Sequence, residues 1–340
     1  RGFSIASLSG CKLVTIHLPW RAGAPPMRYL LVPHGKSAPA NHPPAQVIVV
    51  PVRRVVALST THLGYIDAAD RTDSLVGLSN FKTVNTASVR RRIEAGRLKE
   101  VGHASSLRIE TLLALSPDLI LTTATGSIYD VHPKLAEAGL PAALIIDHLE
   151  RHPLGRLEWI KFMALLLGTE THARTLFNDI AHEYKQLAAK TAQLDHRPKI
   201  ITGTPFRGQW WVARADSFVA RYIEDAGGIH LWPDIPGTGS RPMDIETVYE
   251  RALNCDLWLN PGTWRRTGDA LATDPRFAAV RALKKNQVFN NNKRLNPWGG
   301  NDYWESGMLR PDVVLADLIA ILHPNLLPDH ELVYYRRLGQ

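Results

Sequence analysis

IETLLALSPDLIL, residues 109–121, has a counterpart later in the same chain: IETVYERALNCDLWL, residues 245–259. Both open on Ile-Glu-Thr, continue through a short amphipathic stretch with apolar residues at helical spacing, and turn at Asp-Leu into an apolar run suited to a buried strand. One helix-to-strand unit therefore occurs in each half of the chain. In each, a glutamate, Glu110 or Glu246, falls in the first helical turn, where the helix dipole favours a carboxylate by roughly 0.3–1 kcal/mol. Asp244 precedes the second helix as a good N-cap. Local electrostatics alone accounts for both glutamates as helix-start residues.

Outward from these units the chain reads as α/β. From residue 48, VIVVPVRRVVALS reads as a strand, followed by a helix from about His62, then LVGLS, the helix in LRIETLLALSP, DLILTTA, a helix near HPKLAEAG, and AALIID. A second series follows: PKIITGTPF, WWVAR, a helix over 216–226, DIETVYERAL, CDLWLNPG, QVFNNN, and a last helix from about Asp312 to Leu322. Alternation at this pitch predicts mainly parallel sheets covered on both faces. Between the series, TETHARTLFNDIAHEYKQLAAKTAQL (169–194) keeps helical spacing through Leu176, Phe177, Ile180, Tyr184 and Leu187 without Gly or Pro. Such a helix covers about 35 Å, enough to link two lobes. Ahead of all this, CKLVTIHLPW and MRYLLVPHG read as an N-terminal hairpin and GKSAPANHPPAQ as a Pro-rich connector. The predicted organisation is an extension over 1–47, a first α/β lobe over 48–168, a linking helix over 169–194 and a second α/β lobe over 195–340.

Composition narrows the function classes. The chain has 340 residues, 45% hydrophobic and 21% charged, a balance able to build two cores. No apolar run approaches the roughly 18 residues that would span a bilayer. Arg1 is not followed by a charged-then-apolar leader, which fits either a cytosolic chain or an exported one whose signal was removed. The formal charge of +8 is spread over pairs such as Arg53-Arg54 and Lys284-Lys285, with only RRR at 90–92 denser. No helix-turn-helix, zinc-finger or RNP pattern accompanies it, so nucleic acid is not an expected partner. The cysteines, Cys11 and Cys255, lie too far apart in sequence for a Cys-based zinc site and too few for a disulfide scaffold. LSGC, 8–11, has the shape of a lipoprotein cleavage site, although RGFSIAS before it is short and polar for a signal core. The alternative is that Cys11 is a strand residue.

Catalytic signatures are missing: no Gly-x-Ser-x-Gly elbow, no phosphate loop, no His-Glu-x-x-His, and no Gly-x-Gly-x-x-Gly after the first strand. Asp302 and Glu305 are spaced as a carboxylate pair but read as helix-start residues. Of the 14 histidines, His148 and His152 have i,i+4 spacing, yet Pro153 directly after them argues against a helix there.

Two α/β lobes joined by one long helix, with IETLLALSPDLIL in the first and MDIETVYERALNCDLWLN in the second, resemble the periplasmic binding proteins that feed ABC importers of ferric siderophores, haem and vitamin B12. The resemblance covers roughly residues 50–323. It implies two Rossmann-like lobes with a ligand cleft between them, and only small lobe closure because the linking helix is stiff. It also implies no resident cofactor, a monomer, and a place in the periplasm or on the outer face of the cytoplasmic membrane, with lipid attachment at Cys11 an open option. In that family a glutamate on each lobe docks on permease arginines, and those positions match Glu110 and Glu246. Arg108 replaces the usual capping Asn or Ser, so the first of these helices should start less tidily.

The same resemblance locates the ligand, because small molecules in open α/β sheets bind beyond the carboxyl ends of the strands. First-lobe candidates are Thr60, Thr61 and His62, Asn80 and Phe81, then Thr123 and Thr125. Second-lobe candidates are Phe206, Arg207, Trp210, Trp211, Arg241, Trp264 and Arg265, together with Trp298, Asn301, Tyr303 and Trp304 from NPWGGNDYWES (296–306). That last stretch fits neither repeating pattern and reads as a loop carrying unusual aromatic surface. If Trp210 and Trp211 lie on a strand, one of them must face the core. Aromatic and cationic side chains together suit a bulky, anionic, ring-bearing ligand. A ferric siderophore fits that chemistry first. Vitamin B12 or haem is the alternative within the same transporter class, and a chelatase-like enzyme on a related fold is a third.

Overall fold

The computed structural model describes residues 2–18 and 23–339. These fall into two compact units. The first comprises the described residues up to Asp147, Gly155–Asn178 and Asn296–Leu309; the second comprises His148–Leu154, Asp179–Leu295 and the described residues from Arg310 onward.

The first unit holds the expected parallel sheet. Its strands run side by side in the order Lys99–Glu100, Leu75–Leu78, Val55–Ala57, Leu119–Thr122, Ala142–Leu144, and every pairing is parallel. Val56, Leu112, Ile120 and Leu135 close the core between this sheet and the helices Ile109–Leu115 and His132–Glu137. Arg108 makes no side-chain cap for the helix Ile109–Leu115, as its chemistry implies.

The N-terminal extension is more than a hairpin. Phe3–Leu8, Cys11–Ile16, Met27–Pro33 and Gln46–Val50 form a four-stranded sheet in that order, the last pair parallel. The stretch VIVVPVRRVVALS is therefore two strands in two sheets. Pro51 has no N–H to donate and ends the first of them. The first predicted hairpin strand, CKLVTIHLPW, extends from Cys11 to Ile16; Pro19 and Trp20 at its expected end lie outside the described residues. Cys11 is a strand residue, 1% exposed beside Leu30 and Val32.

This sheet rests on a helix that period counting does not find. Pro153–Leu167 carries Leu157, Trp159, Ile160, Phe162, Met163 and Leu166, all nearly or fully buried. Its polar residues are few, with Glu158 and Lys161 paired at 2.9 Å on the half-buried side, and so narrow a polar stripe hardly reveals the helical period. Phe3 packs edge-on against Trp159 at 5.3 Å, and Tyr29 stacks on Phe162 at 5.8 Å. The helix starts at Pro153, so His148 and His152 precede it and do not share one helical face. The next helix, Glu170–Thr191, belongs to the first unit up to Asn178 and to the second from Asp179.

In the second unit, Ile229–His230, Lys199–Thr202, Leu257–Leu259 and Val288–Asn290 are parallel neighbours, and Arg336–Arg337 closes the edge antiparallel. A separate antiparallel sheet of Pro205–Phe206, Gln209–Ala213 and Ser240–Asp244 adjoins the end of the Lys199–Thr202 strand in sequence. The core is built on indoles: Trp258 lies 5.3 Å from Trp210, 5.1 Å from Trp264 and 5.2 Å from Phe277. Trp210 donates its N–H to Thr202 O, Trp258 to Gly203 O and Trp264 to Thr273 Oγ1, as buried indoles require.

One placement departs from the expected division of the chain. By sequence position residues 296–309 fall in the second lobe, over 195–340, yet they pack as part of the first unit. Polar groups hold them there, as described below, and no hydrophobic period signals it.

Candidate functional site

Each parallel sheet presents loops at the carboxyl ends of its strands. In the first unit, Ser59 caps the helix Thr60–Ala68, its Oγ accepting from Thr61 N at 3.3 Å. Thr60 and Thr61 thus sit half-buried in a first helical turn and not in a free loop. His62, one residue on, is 2% exposed. Burial lowers its pKa to about 4, against the pull of Asp147 and the Leu121 carbonyl. A ring so enclosed cannot reach a ligand, and His62 leaves the candidate set.

After the strand Leu75–Leu78, Asn80 Oδ1 accepts from Lys82 N at 2.8 Å, and Phe81 is tied to Glu100 through its N–H and to Arg90 through its carbonyl. After Leu119–Thr122, Asp130 accepts from Thr125 N, Thr125 Oγ1 and Gly126 N and folds the loop on itself. Thr123 is half-buried and Thr125 exposed. The folded loop thrusts out Ile128 and Tyr129, 91% and 68% exposed. Sequence reading passed over these two; the signal available was a pair of large apolar residues between Gly126 and Asp130, where a polar turn is expected.

The segment 296–309 lies on the same end of this sheet, against the loop 82–86. Asn296 Nδ2 donates to Lys82 O (2.9 Å) and Val84 O (3.2 Å). Glu305, 0% exposed, accepts from Asn85 N, Asn85 Nδ2, Thr86 N and Thr86 Oγ1. Burial pushes its carboxyl pKa up, opposed by the bonds from Thr86 and Asn85. The two carboxylates expected as helix-start residues divide: Asp302 accepts from Ser306 N and Oγ and starts the turn, whereas Glu305 fastens the segment. Trp298 is 53% exposed with the Arg90 guanidinium 5.1 Å from its ring, and Trp304 is 44% exposed. Asn301 is half-buried; Tyr303, at 3%, packs inward and is also withdrawn.

In the second unit, strand alternation separates the two adjacent indoles: Trp210 is 0% exposed and Trp211 53%. Trp210 is therefore a core residue, and so is Trp264 at 5%; both are corrected out of the ligand set. Trp211, Arg241 opposite Val212, and Phe206 with the Arg207 guanidinium 5.2 Å from its ring face solvent. Arg265 is exposed, its N–H held by Asp269 Oδ2 at 2.7 Å. The structure thus places exposed aromatic rings and guanidinium groups at the strand ends of each unit.

A concavity of about 920 Å³ within the second unit lies elsewhere. It is bordered by His152, Tyr184, Arg221, Asp225 and His230, and contains none of the predicted ligand residues. Its buried carboxylate, Asp225, is already held by Tyr184 Oη at 2.7 Å and Arg221 Nη2 at 2.8 Å. Among the described residues no group of three or more His, Cys, Asp or Glu is placed to hold a metal ion, and no helix is long and apolar enough to cross a membrane.

Glu110 and Glu246 are both exposed in first helical turns. Asp244 caps the second helix as expected, accepting from Thr247 N and Oγ1 at 2.7 and 2.9 Å. Arg276 stands 3.6 Å from Glu246, whose side chain is still 69% exposed.

Comparison with known proteins agrees with this architecture. A periplasmic haem-binding protein from Pseudomonas aeruginosa shares the fold with a TM-score of 0.62 at 19% identity, over 85% of this chain and 99% of that one. An uncharacterized lipoprotein of Methanocaldococcus jannaschii is 27% identical over 293 residues, 82% of this chain and 67% of the relative. A cobalamin-binding protein of Halobacterium salinarum is 25% identical over 237 residues, 67% of this chain and 60% of the relative. The model of the family described as Periplasmic binding protein matches residues 55–295. The match takes in both parallel sheets except for the edge pair Arg336–Arg337, and the chain is a member of the periplasmic binding protein family.

Proposed function

We propose that this protein captures a bulky, ring-bearing metal chelate and delivers it to the permease of an ABC importer, outside the cytoplasmic membrane. The observation that carries this reading is the set of solvent-exposed rings beside guanidinium groups at the strand ends: Trp298 with Arg90 in one unit, Phe206 with Arg207 in the other. Rings left half-exposed in the segment 296–309 and in the antiparallel sheet that follows Lys199–Thr202 forgo core burial. They are available to stack on a flat ligand at little entropic cost. Trp211, Trp304, Phe81 and the polar groups of Thr60, Thr61, Asn80, Thr123, Thr125 and Asn301 complete the proposed contact set, with Arg241 and Arg265 adding positive charge.

Within that class a corrinoid comes first, supported by the sequence relationship to a cobalamin-binding protein. A ferric siderophore is the second reading, favoured by Arg207, Arg241 and Arg265, which suit an anionic complex. Titration of tryptophan fluorescence with cyanocobalamin, haemin and a ferric catecholate separates them. Saturable quenching by one of the three is the expected result, and none with all three would sink the reading. Capture without turnover is part of the proposal: incubation with free metal and a metal-free tetrapyrrole is expected to yield no metallated product. In the same role Glu110 and Glu246 are the carboxylates proposed to meet permease arginines.

A further inference from the structure

Glu305 is a fully buried carboxylate to which ligand capture itself assigns no task. Its partners are all donors: Asn85 N at 2.9 Å, Asn85 Nδ2 at 3.1 Å, Thr86 N at 2.8 Å and Thr86 Oγ1 at 2.7 Å. A glutamine there would turn an NH2 group toward a donor, so the site selects an ionised acid and not merely a polar side chain. At the other end of the segment Asn296 binds the carbonyls of Lys82 and Val84, while its own Oδ1 accepts from Trp298 N and Gly300 N. Both fastenings converge on the loop 82–86, which follows the strand Leu75–Leu78. A third contact comes from below. Gly64 of the helix Thr60–Ala68 lies so close that an added Cβ would stand 2.7 Å from Glu305 O. Trp298 and Trp304 sit between or beside these fastenings and are the two exposed rings of the segment.

We propose that Glu305 is a positioning residue: its carboxylate latches residues 296–305 onto the loop 82–86 and holds Trp298 and Trp304 in place as a ready-made ligand platform. The platform half rests on the proposed function; the latch half does not. Rings fixed before the ligand arrives lose less freedom on binding, and affinity gains accordingly.

The test uses the full chain without ligand, then with it. Amide hydrogen exchange across Trp298–Trp304 is expected to accelerate at least about tenfold in Glu305→Gln, because buried donors lose their acceptor. Thr86→Val removes one hydroxyl donor at nearly constant shape and is expected to give a smaller acceleration; Thr86→Ser, which keeps the hydroxyl, is expected to exchange as the parent does. That pair decides the matter should Glu305→Gln fail to fold. The affinity for whichever of cyanocobalamin, haemin or ferric catecholate binds the parent is expected to fall in the same order. Unchanged exchange in Thr86→Val, or Thr86→Ser as fast as Thr86→Val, overturns the latch. Faster exchange with unchanged affinity overturns the platform role. If none of the three probes binds the parent, the proposed function fails, and exchange alone still upholds or overturns the latch.

Discussion

Trp210 and Trp211 are neighbours in sequence and opposites in role, since successive side chains on a strand point to opposite faces. Trp210→Ala is expected to cost about 3–5 kcal/mol of stability through the cavity left beside Trp258 and Phe277, with the folded fraction still binding ligand. Trp211→Ala is expected to leave the denaturant midpoint nearly unchanged and weaken capture by about 2 kcal/mol, roughly thirtyfold. Chemical denaturation and fluorescence titration of the two variants check both statements. His62 makes a different prediction. Its pKa is lowered from its ordinary value of 6.5 to about 4 by burial, so between those values the unfolded chain holds a proton that the folded chain lacks. The unfolding free energy must then fall as pH drops from about 6.5 to 4, by about 3 kcal/mol from this ring alone. His62→Gln is expected to flatten that slope, whatever its effect at pH 7, as measured by urea unfolding across the window.

The element that carries the most consequence is the segment 296–309. Gly300 has no space for a side chain, because a Cβ there would run into the carbonyl of Thr83. Gly300→Ala is therefore expected to push the segment off the loop 82–86, weakening ligand capture while sparing the parallel sheet beneath. Far-UV circular dichroism with fluorescence titration distinguishes this from general unfolding. The helix Pro153–Leu167 shows the opposite relation between element and sequence. It is buried except for a narrow stripe at Leu154, Glu158 and Lys161, and so the alternation that exposes an amphipathic helix is faint in it. The linking helix was readable for the converse reason: Glu170–Thr191 keeps a wet face, and its apolar positions, Ala173, Ile180, Ala181 and Tyr184, repeat with a helical period.

For the whole molecule, the prediction concerns delivery. Glu110 and Glu246 lie one in each unit, both exposed and both in helix first turns. The helix dipole accounts for a carboxylate there, so charge reversal should cost little stability, within about 1 kcal/mol for each. Under the proposed function the double variant Glu110→Lys with Glu246→Lys is expected to bind its chelate as the parent does and to abolish uptake in a strain dependent on this protein. Lost affinity in purified protein, or undiminished uptake in cells, would refute the docking assignment. Arg276, 3.6 Å from Glu246, is a partly exposed partner that the permease would have to displace, and an exposed pair of this kind holds only weakly.

Period and chemistry along the chain were enough to determine the α/β class, the two parallel sheets, the long helix and the echo of Ile-Glu-Thr units. These are local patterns: a strand buried on both faces or a helix with one wet side writes its environment into successive residues. Tertiary structure alone decided which aromatic rings are exposed and where residues 296–309 belong. Nothing within NPWGGNDYWES states that Glu305 will find Asn85 and Thr86, some 220 positions earlier. The same folding buries Trp264, His62 and Tyr303 and leaves Ile128 and Tyr129 in solvent. A side chain's composition sets what it can bind, but its exposure is set by neighbours distant in sequence, and periodicity carries no record of them.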